Sequence, residues 1–205
     1  MKSPRTLVIG TANPDKLKEL RALLKDLKIR VVPVTRLKKI PRVVENGRTF
    51  AANAAKKARA YSRLSPHLTL ADDSGLCVRA LRGRPGVYSA RFAGPGCTYA
   101  DNNRKLLRLL SGTPPSQRQA YFVSAIALFR RGRRVKILKG LCHGRIAPRP
   151  LGRHGFGYDP VFIPAGSIRT FAELPPRLKN TLSHRARALS AAKRFLKSYL
   201  TQSPN

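Results

Sequence analysis

A short apolar run that passes almost at once into a helix start constrains this chain more than any other feature. Thr6-Leu7-Val8-Ile9-Gly10 has the length and composition of a buried strand, and Thr11-Ala12-Asn13 leads straight into Pro14-Asp15-Lys16. Asn13 suits the N-cap, Pro14 the first helical position and Asp15 the positive end of the helix dipole. Leu17, Leu20, Leu24 and Leu27 then recur at helical spacing. A strand feeding a capped helix is the unit from which α/β sheets are built, and its mouth offers backbone N–H groups to an anion such as phosphate. Lys16 adds a point charge there. The same residues also make a well-capped helix with no ligand, since no Walker glycines accompany them.

The remaining chain continues the alternation. Ile29 to Val34 reads as a strand, and Thr49 caps a helix from about Ala51 to Leu64 that carries Lys57. Leu68 to Ala71 is a strand ending in Asp72-Asp73, and Arg84-Pro85-Gly86 turns a loop that runs to Arg91. Asn102 to Leu110 is helical, with Leu106, Leu107 and Leu110 inward. Tyr121 to Phe129 and Val135 to Leu141 form an antiparallel pair around the solvated turn Arg130-Arg131-Gly132-Arg133-Arg134. Val161-Phe162-Ile163 is a short strand. Ser183 caps a last helix whose inner stripe is Leu189, Ala192, Phe195, Leu196 and Tyr199. No repeats or linkers interrupt residues 1–200, so one domain is expected, followed by a short tail, 201–205. The fold class is α/β, a mixed central sheet with helices on its faces.

Composition matters here through what is scarce. Lys and Arg number 42 against 9 Asp and Glu, a formal net charge of +33, which implies an anionic partner without naming it. At 42% hydrophobic residues the chain buries a core and is not a disordered basic tail. In a chain this poor in acids, adjacent carboxylates are not expected by composition, and they repel unless cations or donors hold them. Asp72 and Asp73 are therefore the leading candidates for catalysis or metal binding. The cysteines Cys77, Cys97 and Cys142 have no CxxC spacing, which argues for a reducing compartment and against a zinc site or disulfide framework. No run approaches the ~20 apolar residues of a membrane span and no signal-peptide core stands at the N-terminus, so a cytoplasmic protein is expected.

A second stretch, Gly155-Phe156-Gly157-Tyr158-Asp159-Pro160, sets glycines on both sides of an aromatic ring, so that backbone and ring together can lie close to a ligand. With it the order of motifs is complete. Thr11-x-Asn13-x-x-Lys16-x-x-Glu19, Glu45-x-Gly47-x-Thr49-Phe50, Asn53-Ala54-x-x-Lys57-Ala58 and Ala71-Asp72-Asp73-Ser74-Gly75-Leu76 come first. Pro85-Gly86-Val87-Tyr88-Ser89-Ala90-Arg91, the Phe156 stretch and Ser183-His184-Arg185 follow. In this order they resemble the inosine/xanthosine triphosphate pyrophosphatases, the family that hydrolyses non-standard purine nucleoside triphosphates, over residues 5–200.

The resemblance implies an elongated fold of two lobes around a nucleotide-binding cleft, a homodimer, and Mg²⁺-dependent conversion of ITP, dITP and XTP to the monophosphate and pyrophosphate. It implies that Thr11, Ala12, Asn13, Pro14, Asp15 and Lys16 cradle the triphosphate, with Ser74 and Lys57 beside it. Asp73 would accept a proton and, with Glu45, hold the metal, and Asp72 would assist. Phe156, Gly157, Tyr158, Asp159, Lys179, His184 and Arg185 would form the base and sugar pocket. Lys57 and Lys179 have plain alternatives as solvated surface lysines. Two departures stand out. Many members carry Glu where this chain has Ala52, three residues after Thr49; that Glu would complete a capping box worth ~1 kcal/mol or assist the metal. The charge is also far more basic than the family leads one to expect. An alternative reading is thus a basic nucleic-acid-associated protein on the same fold, with weak or relaxed nucleotide hydrolysis.

Overall fold

The computed structural model describes residues 5–202, with side chains through residue 199. In chain order the elements are β1 (Arg5–Ile9), α1 (Pro14–Leu24), β2 (Ile29–Pro33), α2 (Phe50–Tyr61) and β3 (Leu68–Val78). They are followed by α3 (Tyr99–Leu109), β4 (Gln119–Arg130), β5 (Arg133–Ile146), β6 (Phe162–Pro164), α4 (Pro176–Leu182) and α5 (His184–Gln202). The strands form a 6-stranded sheet in the order β2-β1-β3-β4-β5-β6. β1 runs parallel to both β2 and β3, with Ile9 opposite Pro33 and Leu70, whereas β5 and β6 are antiparallel. The sheet is therefore mixed, as the sequence predicts. Between β4 and β5, Arg131 and Gly132 have φ of 51° and 77°, the doubly left-handed two-residue turn that matches the twist of a hairpin.

The chain forms two compact units. The first takes the described residues within Met1–Asp73, Ser124–Gly140 and Arg185–Asn205; the second takes Ser74–Val123 and Leu141–His184. In the first unit, strand alternation sorts the core onto two faces. Leu68 and Leu70 of β3 join Leu7, Ile9, Ile126 and Leu128 against Leu20 and Leu24 of α1 and Leu189, Ala192 and Leu196 of α5. On the other face Ala71, Ala125 and Ala127 are small enough for α2 to approach closely with Ala54 and Ala58. The second unit packs Leu76, Leu106 and Leu110 around a ring cluster, Phe122, Phe162 and Phe171. Burial of each such large side chain contributes roughly 1.5–3 kcal/mol. Arg118 braces this unit, its buried guanidinium donating to the carbonyls of Leu110, Thr113 and Ala147.

Several boundaries differ from the sequence reading. The strand expected to stop at Ala71 continues through Asp72-Asp73 to Val78, because the carboxylates point to opposite faces and each meets cations there. α4 was not foreseen; its 7 residues are too few to show a period. α5 runs to Gln202, so the expected tail is helical at residues 201–202, and residues 203–205 lie outside the described residues. Among the described residues no helix is long and apolar enough to cross a membrane.

Candidate active site

The first unit gathers its chemistry at the start of α1 and the middle of β3. Gly10 closes β1 against β3, its N–H donating to the Leu70 carbonyl at 2.7 Å, and a β-carbon there would stand 2.8 Å from the Tyr61 ring. The chain then turns through Thr11, which is buried and accepts the Asn13 N–H at 3.2 Å. Asn13 caps α1 by accepting the Lys16 N–H at 3.0 Å. The helix end thus offers fewer amide donors than the sequence suggests, since Pro14 has none and Asn13 takes that of Lys16. What it adds is the Lys16 side chain itself. Lys16 Nζ lies 3.5 Å from Asp72 Oδ2.

Asp72 is wholly buried, on the β3 face that carries Leu68 and Leu70. Arg185 Nε donates to the same Oδ2 at 3.3 Å, and Arg185 Nη1 pairs with Glu19 Oε2. Burial opposes the ionisation of Asp72, yet Lys16, Arg185 and Lys57 together hold its carboxyl well below the usual carboxylate range. Burial also lowers the Lys16 ammonium from its ordinary value, against the attraction of Asp72.

Asp73 faces the other way, towards α2. Lys57 Nζ stands 3.8 Å from its Oδ1 and 2.6 Å from Glu45 Oε2. Asn53, almost fully buried, accepts the Gly47 N–H at 2.7 Å through Oδ1 and is hydrogen-bonded to Asp73. A β-carbon on Gly47 would sit 2.6 Å from that Oδ1, so a larger residue there would displace the Asn53 side chain. Burial pushes the Asp73 carboxyl above its usual value; Lys57 and Lys16 oppose the shift and Glu45 adds to it. Lys57 feels burial first as a lowering, but Asp73, Asp72 and Glu45 outweigh it and raise its pKa. Lys57 is therefore a buried counter-charge, not a solvated helix position. Ser74 follows on β3, half-buried, in the second unit.

The second unit organises Phe156 to Asp159. Asp159 is buried and accepts the Phe156 N–H at 2.8 Å and the Lys179 ammonium at 2.5 Å. A β-carbon on Gly155 would lie 2.0 Å from Asp159 Oδ2, so only glycine permits this closure. Lys179, also buried, sits 5.0 Å from the Phe156 ring centroid and 6.0 Å from that of Phe171, a cation set over aromatic faces. It is no surface lysine. Tyr99 packs 5.9 Å from Phe156, and Asn103 donates to the Gly157 carbonyl at 3.0 Å. A cavity of about 620 Å³ opens here, lined among others by Tyr99, Asn103, Arg104, His154 and Phe156. Tyr158 turns into the core instead, its hydroxyl donating to the Ser89 carbonyl at 2.9 Å, and burial raises its pKa. His184 lies flat on Phe122, centroids 4.5 Å apart with planes 11° off parallel.

The expected residues thus fall into two sets. Thr11 to Lys16, Glu45, Lys57, Asp72, Asp73 and Arg185 belong to the first unit, and Ser74, Phe156 to Asp159, Lys179 and His184 to the second. Glu19 and Asn53 join the first set, residues to which the motifs alone give no role. A signal existed for both. Glu19 is one of only 9 acids and lies one turn beyond Lys16, and Asn53 shares a helix face with Lys57 in an alanine-rich helix.

A mixed α/β fold whose first unit buries a carboxylate pair among lysines, and whose second unit holds a glycine-flanked ring over a buried lysine, has the makings of a nucleotide-handling enzyme. Known proteins agree. The chain matches the Ham1 family over residues 7–195, and it belongs to that family. It is 46% identical over 190 residues to the dITP/XTP pyrophosphatase of Desulforamulus reducens, covering 93% of this chain and 94% of the relative. The solved HAM1 protein of Coxiella burnetii superposes with a TM-score of 0.86 at 40% identity, covering 95% of this chain and 99% of that one. The Staphylococcus aureus Ham1 protein gives 0.84 at 35% identity, covering 95% and 100%.

Proposed function

We propose that this protein hydrolyses ITP, dITP and XTP to the nucleoside monophosphate and pyrophosphate, and so clears aberrant purines from the nucleotide pool. The observation that carries this is the unequal carboxylate pair on β3, Asp72 held ionised between Lys16 and Arg185 while Asp73 is pushed upward beside Glu45 and Lys57. Environments that drive neighbouring acids apart mark a division of labour. The name of the D. reducens relative, dITP/XTP pyrophosphatase, supports dITP and XTP among these.

Asp73 acts as the base. An aspartate at its ordinary pKa of ~3.9 is a weak base, so holding the water in line with the phosphorus contributes more than proton abstraction. Its carboxylate takes a proton from the attacking water as the water oxygen bonds to the α-phosphorus. The bond from that phosphorus to the α,β-bridging oxygen breaks, and pyrophosphate leaves. Lys16 and Lys57 offset the phosphate charge beside the Thr11–Asn13 turn, and Ser74 adds a hydroxyl. Asp72 keeps Lys16 and Arg185 in place.

The donor set suits a divalent cation, and we assign Mg²⁺. Glu45 and Asp73 both approach the Lys57 ammonium, at 2.6 and 3.8 Å, so a cation already lies between the two carboxylates that would hold Mg²⁺. Among the described residues no three acids, histidines or cysteines gather, and two carboxylates with waters and phosphate oxygens satisfy Mg²⁺. When bound, the ion neutralises phosphate charge and polarises the water. At the other end of the substrate, Phe156 supplies a stacking face, and Asp159 and Lys179 fix its loop. By the family resemblance, His184 and Arg185 would supply donors to an oxygen at purine position 6. Adenine presents an amino group there and leaves buried donors unmatched, the strong form of discrimination. The active species is a homodimer in the cytoplasm, where its free cysteines stay reduced.

The test is product analysis with ITP, XTP, GTP and ATP in Mg²⁺. IMP and pyrophosphate are expected from ITP. IDP and orthophosphate would mean attack at the γ-phosphorus and reject the mechanism, and equal turnover of ATP would reject the base pocket. Light scattering decides the dimer.

A further inference from the structure

The acids of this chain are concentrated where its chemistry is. Glu19, Glu45, Asp72, Asp73 and Asp159 all serve the clusters above, and Asp26 and Asp101 hold Lys193 and Arg104. With 42 Lys and Arg against 9 acids, most surface cations have no carboxylate to meet. They are not evenly spread. The β4–β5 turn carries Arg130, Arg131, Arg133 and Arg134 around Gly132, and it is fastened to the chain just after α2. The Gly132 N–H donates to Ser62 Oγ at 3.0 Å, and Arg130 Nε donates to the Pro66 carbonyl at 3.3 Å. Arg63 lies across Gly132, its Nε 3.0 Å from where a β-carbon would stand. Arg131 holds φ at 51°, a conformation usually left to Asn or Gly. A cavity of about 380 Å³ opens here, lined by Ser62, Arg63, Leu64, Ser65, Pro66 and Arg131. Among the described residues, Arg59, Arg63, Arg131, Arg133 and Arg134 are exposed and make no ion pair.

We propose that this hairpin tip, with Arg59 and the Ser62–Pro66 segment, binds the phosphodiester backbone of double-stranded nucleic acid. Guanidinium groups match phosphate oxygens with paired N–H donors, and here several lie on and beside one pinned turn without an ion-paired acid. A membrane surface fits less well, because binding there needs apolar side chains to enter the headgroup region. The exposed large hydrophobics, Ile40, Val44, Tyr88, Tyr99, Leu109, Leu141, Ile168 and Leu178, all lie outside the cluster. Single strands fit less well too, since they gain most from exposed aromatic platforms and the cluster has none. With backbone contacts alone, binding is independent of sequence. The surface is separate from the residues assigned to hydrolysis, so either function stands or falls without the other.

The experiment is fluorescence anisotropy with a labelled DNA duplex, titrated with salt from about 50 mM upward. The variant replaces Arg63, Arg131, Arg133 and Arg134 with Ala; the control replaces Arg108, Arg149, Arg169 and Arg177, equally exposed arginines of the second unit, and so loses the same net charge. The hairpin variant is expected to lose ~10-fold or more in affinity, with a salt slope shallower by roughly one per phosphate contact removed. The control should stay near wild type. Equal losses in both variants would show general charge and no site, and no wild-type binding at about 50 mM salt would end the proposal. Binding to phosphatidylserine vesicles that falls in the hairpin variant while duplex binding does not would reassign the surface to membranes. ITP hydrolysis and melting of both variants report folding. Should the fourfold variant not fold, Arg131→Gly, which relieves the left-handed strain and removes one guanidinium, must still shallow the slope by about one; an unchanged slope overturns the assignment.

Discussion

Asp72 and Asp73 are the same residue type, adjacent on one strand, and their surroundings differ in kind. Asp72 lies on the face of β3 that faces α1 and α5, where Lys16 and Arg185 meet it inside an apolar wall. Asp73 lies on the face towards α2, where one ammonium, one further carboxylate and one amide surround it. Cations win over burial at Asp72, and burial wins over cations at Asp73. The first is a carboxylate whose charge its cations stabilise, and the second is one whose charge its burial disfavours. Strand alternation, not residue type, sets the two environments apart.

The sharpest way to break this comparison is Asp72→Ala. It leaves Lys16 and Arg185 buried beside a lost carboxylate, and removing one partner of a buried pair costs roughly 3–5 kcal/mol. Urea unfolding measures it; a loss below about 1 kcal/mol, the scale of a surface pair, would deny Asp72 its anchoring role. Asp73→Asn should do the reverse. Its kcat falls by ~10² or more while its melting temperature at neutral pH holds or rises, because the buried charge that the site resists is gone. Near-normal kcat in Asp73→Asn, with kcat lost in a folded Asp72→Asn, would mean the roles are exchanged.

Acid and base titrations sharpen the same contrast. Asp72 titrates lower folded than unfolded, so its stabilisation is present above the unfolded value of ~3.9 and is lost as pH falls towards the folded value. Asp73 titrates higher folded than unfolded. The stability linked to its proton is present below ~3.9 and is lost as pH rises through its folded pKa. kcat/KM should rise over that same upper interval, and a pH–rate profile that is flat there would remove Asp73 as the base. Asn53→Ala is a smaller test. It cuts the tie from the Gly47 backbone to Asp73, and a buried hydrogen bond lost this way costs roughly 1–3 kcal/mol. More Mg²⁺ should be needed for half-maximal rate, with product identity unchanged, and an unaltered Mg²⁺ requirement would reduce Asn53 to packing. The smallest effect is at Ala52, whose N–H already donates to Thr49 Oγ1 at 3.1 Å. Ala52→Glu should add at most ~1 kcal/mol by completing the capping box. A fall in the Mg²⁺ requirement as well would show that this position also reaches the metal.

Much of this was legible in the sequence because the deciding forces are local. Asn13, Pro14 and Asp15 specify a helix start through a cap, a fixed φ and a dipole, and the structure begins α1 there. Thr49 does the same for α2. The alternating and leucine-rich runs set strands, helices and their buried stripes, and Arg131-Gly132 makes the hairpin the run of arginines suggested. The ordered motifs identified the family by themselves. What sequence could not decide is which side chains meet across the chain. It did not show β3 running on through two carboxylates, since alternation alone does not reveal that Arg185, 113 residues away, neutralises Asp72. It left Lys57 and Lys179 as surface lysines or ligands, and the structure buries both beside acids. It offered Tyr158 to the ligand, and the fold gave its hydroxyl to Ser89. Caps and periodicity are settled within a turn or two of chain, whereas a buried charge is settled by whichever counter-charge tertiary packing brings within a few ångströms, and no local pattern records that distance.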